Sequence, residues 1–192
     1  IHTKTLEVQH AYALAAALAD LPLVAGGPHA TVRPEEPLLH GFRYVLRGEG
    51  DESIVELADA IDGRRDFADI GGLTWRDRGL VRSTPARGFL RDLDALAEPL
   101  EALDAFGDAA YAMPTPAGLL SSRGCPAACT FCSHDVTGRT FRYHSPERVV
   151  REVRKLAELG SSAFAFFDDS FAVGRRRVAE LSRALAETGD PW

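Results

Sequence analysis

The stretch RGCPAACTFCSH, Arg123 to His134, contains all three cysteines of the 192-residue chain. These cysteines, Cys125, Cys129 and Cys132, have the spacing C-x3-C-x2-C. A loop with this spacing can turn three thiolates toward one point, and three soft sulfur ligands suit an iron–sulfur cluster or a zinc ion. A 4Fe-4S cluster bound in this way keeps one iron free for a further ligand. The stretch therefore predicts a metal-binding loop.

Two other interpretations of the cysteines compete with a cluster. Burial in an ordinary core is disfavoured, because the cysteines share a loop with Gly124 and Pro126. A zinc site that uses the three cysteines and His134 is the stronger alternative, and it would make the chain a zinc-binding structural or interaction module. Its C-x2-C portion is normal for zinc, but the chain has no second C-x2-C pair.

The elements around the cysteines predict the opening of a (β/α) barrel. AGLLSSRG is predicted as a strand that leads into the loop. Ser145 is expected to cap a helix that has Pro146 at its first position and continues to Gly160. The segment SAFAFFDDSF is predicted as a buried strand, followed by a helix over residues 175–187. Residues 115–192 are too few to close a barrel, which needs about 200 residues or more.

The N-terminal half predicts an α/β fold with a parallel, doubly wound sheet. A helix over residues 7–19, a strand over residues 21–25, a short helix over residues 34–39, a strand in FRYVLRGEG and a helix over residues 51–61 alternate along it. Ligands of such sheets bind at the carboxyl ends of the strands. We therefore expect three parts: residues 1–70, a hairpin and connector over residues 71–114 with its turn at residues 77–79, and residues 115–192.

The composition excludes several function classes. The net charge of −6, with Arg and Lys scattered among acidic residues, disfavours nucleic acid as a partner. No apolar run approaches the roughly 20 residues of a membrane-spanning helix. An odd number of clustered cysteines disfavours a disulfide framework and suits a reducing compartment, so a cytoplasmic location is expected.

RGCPAACTFCS resembles the signature of the radical S-adenosylmethionine (SAM) superfamily, C-x3-C-x-aromatic-C, with Phe131 as the aromatic residue. The resemblance implies that a 4Fe-4S cluster binds the amino and carboxylate groups of SAM at its open iron. SAM is then cleaved reductively to methionine and a 5′-deoxyadenosyl radical, with an electron from an external donor such as flavodoxin or ferredoxin. The Phe131 backbone is expected near the adenine.

Two further segments resemble the cobalamin-associated branch of this family. In FFDDSF, Asp168 and Asp169 match a DD-x-F pattern and are expected to meet SAM; the alternative is a helix N-cap and solvated loop charges. In GRTFRYHSPE, Arg142 is expected either to meet the SAM carboxylate or to cap a helix. The sequence does not favour one aspartate over the other.

VAGGPHAT and YVLRGEGDES are similar to the C-terminal part of the Rossmann-like cobalamin-binding domain of that branch. The resemblance implies that backbone at Gly26 and Gly27 approaches the nucleotide tail of cobalamin, although glycines there also serve tight turns. The motif D-x-H-x-x-G of such domains, whose histidine can ligate cobalt, does not occur in this chain.

The resemblance implies methyl transfer or a radical rearrangement or cyclisation of a small-molecule or peptide substrate. The chain starts without Met, its last residues resemble the lead-in to another strand, and the barrel is incomplete. We therefore expect a fragment that is inactive in isolation, with unpaired strand edges that make it prone to aggregate.

Overall fold

The computed structural model describes residues 1–100 and 116–189. The chain forms two compact units. The N-terminal unit contains Ile1–Phe89 and Ser133–Thr137, and the C-terminal unit contains Leu90–Cys132 and Gly138–Trp192. Part of the predicted connector, residues 101–114, lies outside the described residues. The expected boundaries at residues 70 and 114 stay predictions.

In its described residues, the N-terminal unit contains four α-helices, two 3-10 helices (Thr5–Glu7 and Phe67–Asp69) and one four-stranded sheet. Strand order in the sheet is β1-β2-β3-β4, with β1 and β2 parallel and the other two pairs antiparallel. The elements are α1 (Val8–Ala17), β1 (Val24–Ala25), α2 (Pro28–Val32), α3 (Glu35–Leu39), β2 (Tyr44–Leu46), α4 (Asp51–Ile61), β3 (Leu73–Asp77) and β4 (Leu80–Ser83).

The expectation of parallel strands before residue 70 is confirmed for β1 and β2. The predicted hairpin forms, and its antiparallel strands join the same sheet through β2. Its turn residues Arg78 and Gly79 both have positive φ, 47° and 87°. This backbone is typical of the tight turns whose twist matches paired antiparallel strands.

Both faces of the sheet are covered, since neighbouring residues of a strand point to opposite faces. Val45 belongs to a core cluster that includes Tyr12 of α1 and Leu38 of α3. Its neighbour Leu46 belongs to a second cluster, which includes Leu57 of α4. Parallel strands that are buried on both faces are characteristic of an α/β fold.

The C-terminal unit is built on one βαβ connection. The elements in its described residues are β5 (Ala117–Leu119), β6 (Ser122–Arg123), β7 (Arg142–Tyr143), α5 (Pro146–Glu158), β8 (Phe164–Phe166) and α6 (Arg175–Ala186). β5 and β8 are parallel neighbours. Ala117 and Leu119 of β5 pack with apolar residues of α5 and α6, including Val153 and Leu181.

The predicted helix start at Ser145 is confirmed. Its side chain accepts a hydrogen bond from the Arg148 N–H, and Pro146 occupies the first helical position. The segment AGLLSSRG, however, forms two short strands in separate sheets, and not a single strand. The chain turns between them because the Ser121 and Ser122 N–H groups donate to the side chain of Asp168.

No helix among the described residues has the length and the apolar character that crossing a membrane requires.

Gly27 and Gly41 provide a matched test of how tightly the chain packs at the end of β1. Both have positive φ, 98° and 91°. A Cβ at Gly27 would lie 2.7 Å from the His2 ring and 2.9 Å from the Thr3 carbonyl oxygen, whereas a Cβ at Gly41 would meet no atom within 4 Å. Gly27→Ala should therefore lower the free energy of unfolding by about 1–3 kcal/mol more than Gly41→Ala. Equal losses in denaturant titrations would contradict this packing.

Candidate functional site

The loop that carries the cysteines is closed at its base by β6 and β7. Ser122 pairs with Tyr143 and Arg123 pairs with Arg142 in an antiparallel ladder. The Cys125 N–H then donates to the Gly138 carbonyl oxygen at 3.2 Å. We call this base of the loop the neck; it consists of the β6–β7 pairs and the bond between Cys125 and Gly138. Cys125 therefore lies at the point where the loop leaves the neck.

The three thiols differ in exposure. Cys125 is half-buried, whereas Cys129 and Cys132 are exposed on a turn in which the Cys132 N–H donates to the Cys129 carbonyl oxygen at 3.2 Å. The Phe131 side chain between them is 89 % exposed. Within residues 1–100 and 116–189, no three His, Cys, Asp or Glu side chains are gathered closely enough to hold a metal ion.

The donor set nevertheless fits an iron–sulfur cluster in number and kind. Three thiols occur within eight positions of one loop, and thiolates are the usual protein ligands of such clusters. One thiol is held at the neck and the other two are on an exposed turn. To bind one cluster, the turn has to bring Cys129 and Cys132 toward Cys125. A zinc site that also uses His134 would need the same movement of the cysteines toward one point. No observation on the structure supports such a zinc site.

Asp168 is the most heavily bonded side chain near the loop. Its Oδ1 accepts from the N–H groups of Ser121 at 2.6 Å and Ser122 at 3.0 Å. Its Oδ2 accepts from the hydroxyls of the same two serines at 2.6 Å and 2.8 Å. The side chain has no exposed surface. The alternative of a solvated loop charge is therefore wrong for Asp168.

Arg177 of α6 is the buried partner of Asp168. Its Nη2 lies 3.4 Å from Asp168 Oδ2 and also donates to the Ser121 hydroxyl. Three aromatic rings surround the guanidinium, with centroids 5.3–5.7 Å from its carbon: Phe141, Tyr143 and Phe171. Burial lowers the pKa of Arg177 from its usual value, and the charge of Asp168 opposes this shift.

Two glycine-containing loops lie together at the carboxyl edge of β1 and β2. Thr31 connects them, because its hydroxyl donates to the Gly27 carbonyl oxygen at 2.9 Å and accepts from the Gly48 N–H at 3.0 Å. The edge beside Gly26 is more open, since a Cβ there would have only the Leu46 carbonyl oxygen within 4 Å, at 3.9 Å.

Behind this edge, His29 joins a buried polar network. Its Nδ1 lies 3.2 Å from the Thr5 hydroxyl, and its Nε2 lies 3.4 Å from the Tyr12 hydroxyl and 3.5 Å from Glu36 Oε1. The Tyr12 hydroxyl also donates to Glu36 Oε1 at 3.1 Å. This network fixes α2, which begins immediately after Gly27, against α1 and α3.

Comparison with known proteins identifies the family. The model of the radical SAM superfamily matches residues 119–191, which include the cysteine loop and the Asp168–Asp169 pair. The chain belongs to the radical SAM superfamily. It falls in the branch whose members carry a cobalamin-binding domain, as the sequence resemblance implied.

Similar curated proteins include enzymes of two kinds. The uncharacterized methyltransferase PH0819 of Pyrococcus horikoshii is 35 % identical over 173 residues, which cover 87 % of this chain and 37 % of that protein. The anaerobic magnesium-protoporphyrin IX monomethyl ester cyclase of Cereibacter sphaeroides is 31 % identical over 183 residues, 88 % of this chain and 29 % of that protein. The chain thus spans about a third of the length of these relatives.

A solved structure has the same fold. The radical SAM methyltransferase TsrM of Kitasatospora setae, with cobalamin and a [4Fe-4S] cluster bound, gives a TM-score of 0.67 at 22 % identity over 94 % of this chain and 36 % of that one. The expected α/β architecture, a Rossmann-like part followed by the start of a radical SAM barrel, is confirmed.

The remaining radical SAM residues predicted from the sequence are close to the loop neck. Asp169 is exposed, and its Oδ2 accepts from the Gly124 N–H at 2.8 Å. Arg142 is buried, and its Nη1 donates to the Leu90 carbonyl oxygen at 2.8 Å. The roles of Asp168, Asp169, Arg142 and Phe131 toward SAM stay predictions.

Sequence reasoning missed Ser121, Ser122 and Arg177 in this radical SAM unit. A signal was present for the serines, because two consecutive serines lie in the stretch predicted to lead into the cysteine loop and two consecutive aspartates lie in the next predicted strand. Arg177 gave no signal, since it is one of three consecutive arginines at the start of α6 and only packing distinguishes it.

Titration of Tyr12 tests the network behind the glycine edge. Burial, together with the hydrogen bond and the charge of Glu36, raises the pKa of Tyr12 to about 12. Because the folded pKa exceeds the unfolded value of about 10, the stabilisation is complete below pH 10 and is lost as pH rises toward 12. The free energy of unfolding should fall by about 1–2 kcal/mol across this window in the native chain. Tyr12→Phe should not show this fall in the free energy of unfolding when denaturant titrations are repeated between pH 10 and pH 12. Identical pH profiles for the two proteins would show that Tyr12 does not cause the fall.

Proposed function

We propose that the chain is the part of a radical SAM enzyme that binds a 4Fe-4S cluster through Cys125, Cys129 and Cys132. The observation that carries the proposal is the position of the cysteine loop. It contains every cysteine of the chain and follows β5, the first strand of a βαβ unit whose carboxyl edge also carries Asp168 and Asp169. Functional groups of barrel enzymes lie at that edge.

When bound, the cluster supplies the electron that cleaves SAM to methionine and a 5′-deoxyadenosyl radical. The chain contributes ligands and shielding. Cys125 offers a thiolate at a fixed position beyond the neck, and Cys129 and Cys132 offer theirs from the exposed turn. The exposed Phe131 ring, located between two ligands, can cover the cluster from solvent when the loop closes.

The edge formed by Gly26, Gly27 and Gly48 is proposed to hold cobalamin. The fold shared with TsrM supports this, since that structure contains cobalamin. His29 is buried within its network with Tyr12 and Glu36, so its imidazole is not exposed at this edge. We propose that this edge holds the nucleotide tail of cobalamin.

The proposed reaction is methyl transfer or radical cyclisation on a small-molecule or peptide substrate. The two kinds of relative, a methyltransferase and an anaerobic cyclase, support both outcomes equally. An external one-electron donor of the flavodoxin or ferredoxin type is part of the proposal, because reductive cleavage of SAM consumes one electron.

Cys129→Ala tests the cluster, with Thr130→Ala in the same turn as the control. Anaerobic reconstitution with iron and sulfide should give the native chain and Thr130→Ala a broad visible absorbance band that bleaches with dithionite. Cys129→Ala should lose the band, because two thiolates cannot replace three. The circular dichroism of all three proteins should agree. A colourless native chain that binds one zinc ion would overturn the proposal in favour of the zinc module.

Gly26→Val tests cobalamin binding separately from folding. A Cβ at Gly26 would have only the Leu46 carbonyl oxygen within 4 Å, at 3.9 Å, and the unfolding midpoint is measured beside cobalamin retention to separate lost binding from lost stability. The branched side chain should block backbone approach and lower cobalamin retention in equilibrium dialysis by about tenfold or more. Unchanged retention would remove Gly26 from the site.

A further inference from the structure

We propose that Asp168 is a positioning residue for the cysteine loop, with Arg177 as its buried counter-charge. The inference rests on the proposed function, because Asp168 would act on the proposed cluster through the position of Cys125. It also separates the two aspartates, since only Asp169 has an exposed carboxylate at this edge.

Asp168 has no capacity left for a cosubstrate. Its two oxygens accept hydrogen bonds from two N–H groups, two hydroxyls and one guanidinium, and its side chain is 0 % exposed. A carboxylate is retained in such surroundings only when all its bonds are satisfied. An amino group of SAM could reach Asp168 only by displacing Ser121 or Ser122.

The bonds of Asp168 act on the segment that leads to the first cysteine. Ser121 is fixed through its N–H and hydroxyl by Asp168, and its carbonyl oxygen accepts from the His144 N–H at 3.0 Å. Ser122 is fixed in the same way by Asp168.

The constraint continues to the cysteine itself. Gly124 donates to Asp169, and Cys125 donates to the carbonyl oxygen of Gly138. The N–H groups of residues 121, 122, 124 and 125 are thus each held by a bond outside the segment, and Asp168 provides the first two of these bonds. Arg123 lies between them and pairs with Arg142 in the β6–β7 ladder. Removal of Asp168 should free the neck on which Cys125 is held.

Arg177 makes this arrangement possible at a buried position. Its Nη1 donates to the Phe171 carbonyl oxygen at 2.7 Å, and its Nη2 contacts both Asp168 and the Ser121 hydroxyl. The three surrounding rings restrict water and favour the cation. Loss of either member would leave the other charge buried and unpaired, which is strongly destabilising.

Hydrogen exchange on the iron-free chain tests the positioning role directly. In Asp168→Asn and Arg177→Gln, amides in the peptide covering residues 119–125 should exchange about tenfold faster than in the native chain. Peptides of the N-terminal unit should be unchanged. Ser122→Ala removes one hydroxyl donor to Asp168 and keeps the ion pair, so exchange at residues 119–125 should accelerate by a smaller factor. This variant provides the test if Asp168→Asn and Arg177→Gln do not fold.

The control is Arg176→Gln on the same helix. Arg176 is paired with Glu180 at the surface, where its side chain is 92 % exposed, so its loss should leave exchange at residues 119–125 unchanged. Acceleration of equal size in the peptides of α5 and α6 would indicate a general stabilising role for Asp168 and would overturn positioning.

Reconstituted protein gives the second readout. Asp168→Asn should release iron to a chelator about tenfold faster than the native chain, while the molecules that retain the cluster bind SAM with the native Kd. If Asp168→Asn instead shows hydrogen exchange and iron release at the native rates but a raised Kd for SAM, Asp168 is a SAM contact and not a positioning residue. If the native chain takes up no cluster, the proposed function fails, but exchange in the iron-free chain still decides whether Asp168 holds the neck.

Discussion

Parallel pairing of short strands determines where this chain places its polar loops. β1 with β2, and β5 with β8, each lie side by side in the same direction, so the segments that follow them emerge at one edge. In the N-terminal unit that edge carries Gly26, Gly27 and Gly48. In the C-terminal unit it carries the Ser121–Ser122 pair and the Asp168–Asp169 pair, which are 47 positions apart along the chain. Without the parallel register, neither set would be assembled.

Rigid and adaptable parts are separated clearly in the C-terminal unit. The neck of the cysteine loop is fixed by strand pairing and by a buried carboxylate that is fully hydrogen-bonded. Beyond Cys125, the two remaining thiols lie on an exposed turn. In the proposed cluster site, one ligand would be placed in advance and two would be brought in by the metal, so part of the binding energy would be used to order the turn.

Much of this organisation could be predicted from the sequence because it depends on local signals. The bounds of α4, the turn at Arg78–Gly79 and the cap at Ser145 follow from apolar spacing, turn residues and a Ser-Pro pair. The cysteine spacing was sufficient to indicate the radical SAM superfamily. The break between β5 and β6 and the burial of Asp168 were not predictable, because they depend on a contact between segments far apart in the chain. The antiparallel addition of β3 to the sheet is another long-range choice that local patterns do not encode.

A single hydroxyl group, that of Thr31, spans the space between the loop after β1 and the loop after β2. It is a donor to one and an acceptor from the other, so the two loops are linked through one side chain. A shift of either loop has to be transmitted to its neighbour or break one of these bonds. We therefore expect the loops at Gly27 and Gly48 to become ordered together when a ligand binds at this edge, although 21 positions of sequence separate the two glycines.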